Sequence, residues 1–123
     1  WVKNLGIKLN ELGDGIQTLS GGNQQKVVLG KWLETEPRVL ILNGPTVGVD
    51  IAAKFDIHAY LRTLAEKMNL AILLISDDIS EVLNNCNRIL IIKNGRIVSE
   101  HVNTELDPHK LQELVTGGKE ETA

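Results

Sequence analysis

Two uninterrupted apolar runs, VLIL at residues 39–42 and LAILLI at residues 70–75, most constrain how this chain can fold. Each is short, and neither shows the polar alternation of a strand with one wet face. That is the pattern of strands covered on both sides in a parallel sheet. Between them, in residues 50–68, Ile51, Phe55, His58, Leu61, Leu64 and Ala65 recur at helical spacing. Strand, helix and strand in that order form a crossover unit and set the strands parallel. The first run turns at Asn43-Gly44-Pro45. A strand that ends beside a phosphate site often carries carboxylates at its tip, to hold a metal and activate water. This tip carries an amide and a glycine.

The remaining elements follow from local chemistry. LSGGNQQKVVLGKWLE reads as a helix entered through a glycine turn. Ser20 caps it, Val27, Val28, Leu29, Trp32 and Leu33 form its apolar face with Trp32 in the core, and Glu36-Pro37 closes it. Residues 1–18 are mixed and glycine-punctuated, a short helix or loop. Asp77-Asp78 starts a short helix through Val82 and Leu83, acids in a first turn suiting the helix dipole. RILIIKNGRIVSE is a hairpin turning at Asn94-Gly95, a type I′ signal. DPHKLQELV is a last helix with Pro108 in its first turn, ended by Gly117-Gly118 and followed by a frayed KEETA tail. The layout is α/β with a largely parallel core.

Composition narrows the function. The 123 residues are 42% hydrophobic, enough for one compact domain or a piece of a larger one. Aromatics are 3%, so Leu, Ile, Val and Ala must build the core. Net charge is −3, and no Lys/Arg cluster forms the basic stripe of a nucleic-acid binder. The single cysteine, Cys86, excludes an internal disulfide and reads as apolar filler. His58, His101 and His109 have no metal-ligand spacing and read as surface or packing residues. The longest apolar run is too short to span a bilayer, so any membrane role comes through a partner. Trp1 in place of Met, with no signal peptide after it, reads as a piece cut from a longer chain.

LSGGNQQK, residues 19–26, carries the chemistry. Two glycines let backbone N–H groups converge, Ser20 adds a hydroxyl, and the helix behind them points its positive end at the same spot. Such a place suits an anionic oxygen, most naturally a terminal phosphate. Taken alone, the residues fit a plain Ser-Gly-Gly helix start better.

LSGGNQQKV followed by VLILNGPTVGVD and AILLISDD resembles the nucleotide-binding subunits of ABC transporters: signature motif, Walker B strand, D-loop and switch loop in order. The resemblance is strong over residues 19–95 and weaker beyond. The GGNQQK form is similar to the second ATPase cassette of bacterial sugar importers of the ribose, galactose and xylose type. It implies the C-terminal half of a cassette with a RecA-like P-loop NTPase core. Residues 1–36 would end the helical signature subdomain, residues 37–116 would form part of the core, hairpin and final helix, and residues 117–123 a tail. No G-x-x-x-x-G-K-[ST] occurs, so the phosphate loop is expected outside this chain.

The resemblance also exposes departures. Asn43 stands where the family has the Walker B aspartate that helps hold Mg²⁺, and Gly44 where it has the glutamate that polarises water. Asp77 stands where it has the switch histidine. The chain's own ATP site is therefore expected to be degenerate and the isolated chain inactive. Leu19, Ser20, Gly21, Gly22 and Asn23 would instead contact ATP held by a second cassette, fused upstream or a homodimer mate, with Asp50 of the D-loop at the same interface. The implied assembly includes ATP and Mg²⁺, a transmembrane permease and, indirectly, a solute-binding protein. It would lie peripherally on the cytoplasmic face of the membrane, with no nucleic acid. Two other readings stay open: a soluble ABC-type ATPase of repair or translation, and a non-catalytic module that keeps the fold.

Overall fold

The computed structural model describes residues 1–117. In chain order it contains α1 (Gly21–Leu33), β1 (Val39–Asn43), α2 (Ile51–Lys67), β2 (Ala71–Ile75), α3 (Ile79–Asn85), β3 (Arg88–Lys93), β4 (Arg96–Val102) and α4 (Pro108–Thr116). Single 3₁₀ turns lie at Ile16–Thr18 and Asn103–Glu105. The chain forms two compact units, Trp1–Ile75 and a second that begins at Ser76.

In the first unit β1 and β2 pair in parallel, from Val39 opposite Ala71 to Asn43 opposite Ile75. Leu40 of β1 joins Leu29 and Leu33 of α1, Ile57, Leu61 and Leu64 of α2, and Leu70 in one apolar core. Leu5 and Ile7, from the mixed opening segment, complete it. The expectation that both strands are covered on both faces does not hold among the described residues. Val39 is 60% exposed and Ile41 63%, and Leu73 and Ile75 are also exposed. The period of two in a strand sends residues 39, 41, 73 and 75 to the face opposite the core.

Both helices bury a stripe that matches only in part the one their apolar residues suggest. On α2, Ile51 and Phe55 are exposed, while Ile57, His58, Leu61 and Leu64 are buried. On α1, Val28 and Trp32 are exposed, Trp32 by 55%, so Trp32 is not a core residue. The buried face of α1 is Gly22, Lys26, Leu29, Gly30 and Leu33. Two of those positions are disguised in the sequence. Lys26 is buried because its stem packs inward while Nζ reaches Asp56 Oδ2 on α2, 3.4 Å away. Gly30 is buried because its missing side chain admits Trp1 and Leu5, whose atoms would lie 3.2 and 3.1 Å from an added Cβ.

The second unit packs α3 and α4 against a hairpin around Ile89, Ile91 and Leu111. Strands β3 and β4 are antiparallel, with an irregularity between Ile91 and Ile92. Asn94 (φ 49°) and Gly95 (φ 73°) both take positive φ, as a type I′ turn requires. Asp107 caps α4 by accepting from the Lys110 N–H (2.8 Å), and Pro108 opens its first turn. Gly117 ends the helix in the left-handed region (φ 86°), its N–H bonded to Glu113 O. Gly118 and the KEETA tail lie outside the described residues.

Candidate functional site

The start of α1 is built by its own side chains. Ser20, in extended conformation, accepts from the Asn23 N–H at 3.3 Å and so satisfies one of the unpaired amides of the first turn. Gln24 folds back so that its Nε2–H donates to Leu19 O (2.9 Å), holding the chain leading into the helix. Helix geometry leaves the amides of Gly21 and Gly22 with no intrahelical partner. Asn23 makes two further bonds. Its Nδ2–H donates to Ser20 Oγ (2.9 Å), and its Oδ1 accepts from the Lys8 N–H (2.9 Å). Sequence reasoning missed this tie, because nothing local marks Lys8 as a partner for Asn23.

The start of α2 lies beside the start of α1. Asp50 Oδ1 accepts from the Ala53 N–H at 2.9 Å, so Asp50 caps α2. A Cβ added at Gly22 would lie 2.6 Å from Ala53 Cβ, closer than two such atoms can stand. Gly22 is therefore the contact point of the two helices. Gly21 differs: a Cβ there would meet only Gly48 O, at 3.6 Å. Gly48 itself has φ 76° and needs to be glycine for its backbone alone. Gly21, Gln24, Gln25 and Val28 of α1 and Val47, Gly48 and Val49 of the turn before α2 line one shallow depression of about 200 Å³. Two positive helix ends thus lie close to each other at an exposed surface.

Asn43, at the exposed tip of β1, lies outside that depression. It lines a neighbouring apolar groove of about 190 Å³ with Gln25, Val28, Trp32, Ile41 and Pro45. Gly44 takes φ 56°, its N–H bonds to Ile75 O (2.9 Å), and a Cβ there would lie 3.0 Å from Val47 Cγ2. The carbonyl of Asn43 brings no charge, and among the described residues no group of three or more His, Cys, Asp or Glu can hold a metal ion. At this tip the described residues offer a Mg²⁺ ion one neutral carbonyl and no carboxylate.

Asp77 belongs to the second unit. It sits exposed in the bend before α3, and its neighbour Asp78 is the cap, accepting from the Glu81 N–H at 3.0 Å. Ser76 Oγ accepts from the Asp78 N–H and donates to the buried Glu81 carboxylate. Of the three histidines, His58 is buried on α2. His101 pairs with Ser99 within β4, and His109 is exposed beside Glu113 on α4. Cys86 is partly buried against the second core, and its thiol is pushed up first by burial and then by the Glu81 charge.

No protein-family model matches the chain. The ribose import ATP-binding protein RbsA of Rhodococcus jostii is 43% identical over 119 residues, 97% of this chain and 24% of that protein. The xylose import ATP-binding protein XylG of Thermoanaerobacter pseudethanolicus is also 43% identical over 119 residues, 97% of this chain and 23% of that protein. Among solved structures, cbiO1 of Clostridium perfringens, part of the ABC transporter complex cbiONQ, matches with a TM-score of 0.72 at 28% identity. The match covers 85% of this chain and 41% of that one. Over nearly its whole length the chain is thus similar to one part of an ABC ATPase cassette. MJ1267, an ATP-binding cassette of an ABC transporter, shares the fold at a TM-score of 0.72 and 24% identity, over 94% of this chain and 43% of its own. The α/β layout with a parallel pair and a hairpin is that of part of such a cassette. The chain spans about a quarter of the length of the sugar-import relatives it matches. No helix among the described residues is long and apolar enough to cross a membrane.

Proposed function

We propose that this chain is part of the ATP-binding subunit of a sugar importer and presents its signature face to a nucleotide held by a second cassette. The observation that carries this reading is the pairing of Gly21 with Gly48. The signature glycine and the D-loop glycine form one exposed depression in which Gly21 has room for a side chain that the chain's own packing does not forbid. The space left open at Gly21 is then space for something outside the chain. The names of the relatives, ribose and xylose import proteins, support a simple sugar as the solute. ATP and Mg²⁺ act in the assembled transporter. A permease holds the assembly on the cytoplasmic face of the membrane, and a solute-binding protein delivers the sugar.

In this reading the chemistry of the chain is electrostatic. The Ser20 hydroxyl and the free amides at the start of α1 meet an anionic oxygen where charge develops, with no proton transfer by this chain. The chain's own Walker B position is spent: Asn43 has no charge, and Gly44 has no side chain to polarise water. Asp77, a carboxylate where the family has the switch histidine, repels phosphate. The chain alone binds ATP weakly at best and does not hydrolyse it.

The test compares two substitutions in the full-length protein assembled with its permease. Ser20→Arg fills the space in front of α1 and should remove most steady-state phosphate release, by about 100-fold or more. Asn43→Ala should change it by less than about threefold, since the position it alters has no acid to lose. Equal losses would mean that the Asn43 site still hydrolyses ATP. Full activity in Ser20→Arg would reduce the motif to a helix start.

A further inference from the structure

The hydrogen bonds around Ser20 fix the direction of its hydroxyl proton. A serine hydroxyl has one hydrogen to donate and two lone pairs to accept with. Ser20 Oγ accepts twice, from the Asn23 N–H at 3.3 Å and from Asn23 Nδ2–H at 2.9 Å. Both donors come from the helix side. The remaining function of the oxygen, its own O–H, is left for the exposed side. The result depends on which way the Asn23 amide faces, and the Lys8 backbone decides that. Lys8 N–H lies 2.9 Å from Asn23 Oδ1. The opposite amide orientation would set two N–H groups against each other there and leave Ser20 facing an acceptor.

Resting on the reading of the signature face above, we infer that Asn23 is a positioning residue: with its amide oriented by the Lys8 backbone, it holds Ser20 as a hydrogen-bond donor toward the partner's nucleotide. A free hydroxyl rotates among donor and acceptor orientations, and only one of them stabilises a phosphate oxygen. Asn23 removes the alternatives before the nucleotide arrives, which is the preorganisation that makes a fixed dipole effective. It does so from a half-buried position beside Ser20.

The decisive variant is Asn23→Asp in the full-length assembled transporter. The substitution is isosteric and keeps an acceptor for the Lys8 N–H and the cap on α1, but it replaces the Nδ2 donor with an acceptor. The Ser20 proton is then drawn inward to the carboxylate. The expected result is a 10- to 100-fold fall in kcat for phosphate release, with KM for ATP little changed. A double-mutant cycle separates positioning from a general structural role. Asn23→Ala should lower kcat when Ser20 is present and should add no further loss in a Ser20→Ala background.

Thermal unfolding of each variant and its yield of assembled transporter set the comparison at matched folding. Parental kcat in Asn23→Asp, or equal losses from Asn23→Ala in both backgrounds, overturns the positioning role while leaving the signature reading intact. An undiminished kcat in Ser20→Ala alone overturns the signature reading, and the positioning role falls with it. If Asn23→Asp does not assemble, the alanine cycle still decides.

Discussion

Gly21 and Gly22 are neighbours with the same side chain and different reasons for it. Gly22 is demanded by the fold, because a Cβ would meet Ala53 Cβ at 2.6 Å, whereas Gly21 has only an ordinary contact to Gly48 O. Gly22→Ala should therefore destabilise the chain by about 1–3 kcal/mol in denaturant unfolding. Gly21→Ala should leave stability within about 1 kcal/mol of the parent, with alanine's higher helix propensity offsetting the added contact. Its effect should appear as lost turnover in the assembled transporter. Cys86 makes a pH-dependent prediction. Its folded pKa is raised, first by burial and then by Glu81. The stabilisation of the protonated thiol is thus fully present below the ordinary thiol range and is lost as pH rises through the folded value. Alkylation at neutral pH should be slow in the native chain and fast after unfolding, and rapid native labelling would contradict the packing described for it. Roles that rest on local chemistry, such as the cap at Ser20 and the turn at Asn94-Gly95, were legible in the sequence. Lys26 with Asp56, and Asn23 with Lys8, were not, because each partner is far along the chain and neither residue type announces it.

At the scale of elements, sequence and structure agree on which segments are helix and strand and disagree on which faces are inside. The apolar residues of α1 place Val28 and Trp32 in the core, but a buried lysine and a glycine hold the inner positions instead. Hydrophobic periodicity sees only apolar side chains, so a stripe completed by Lys26 and Gly30 escapes it. The bare outer face of β1 and β2 was hidden for the opposite reason: its residues are as apolar as those of the core face. The opening segment reads as a short helix or loop, and its Leu5 and Ile7 escape notice because they reach the core from turns, which have no period to detect. The turn after β1 carries a prediction of its own. Gly44 lies in the left-handed region, where a side chain costs about 1–2 kcal/mol. Restoring both acids, Asn43→Asp with Gly44→Glu, should lower the melting temperature of this chain and yield no ATPase activity in it. A clear gain in phosphate release would show that the phosphate-binding elements have been misassigned.

Across the whole molecule, stability is unevenly distributed. The first unit centres on Leu29, Leu33, Leu40, Ile57, Leu61 and Leu64 with further buried neighbours, whereas the second has Ile89, Ile91 and Leu111 as its buried apolar residues among those described. Less buried apolar surface means a smaller free energy of local opening. Native-state hydrogen exchange should show amides of β3 and β4 opening at lower free energy than those of β1 and α2, and the reverse order would contradict this core assignment. The contact at Gly22 also has a mechanical consequence. With no slack between Gly22 and Ala53, the first turns of α1 and α2 behave as one stiff joint, and a push on either is transmitted to the other without lost motion. Whatever pushes the serine at the head of one helix toward the other therefore presses at once on Ala53, three residues past the aspartate that caps it.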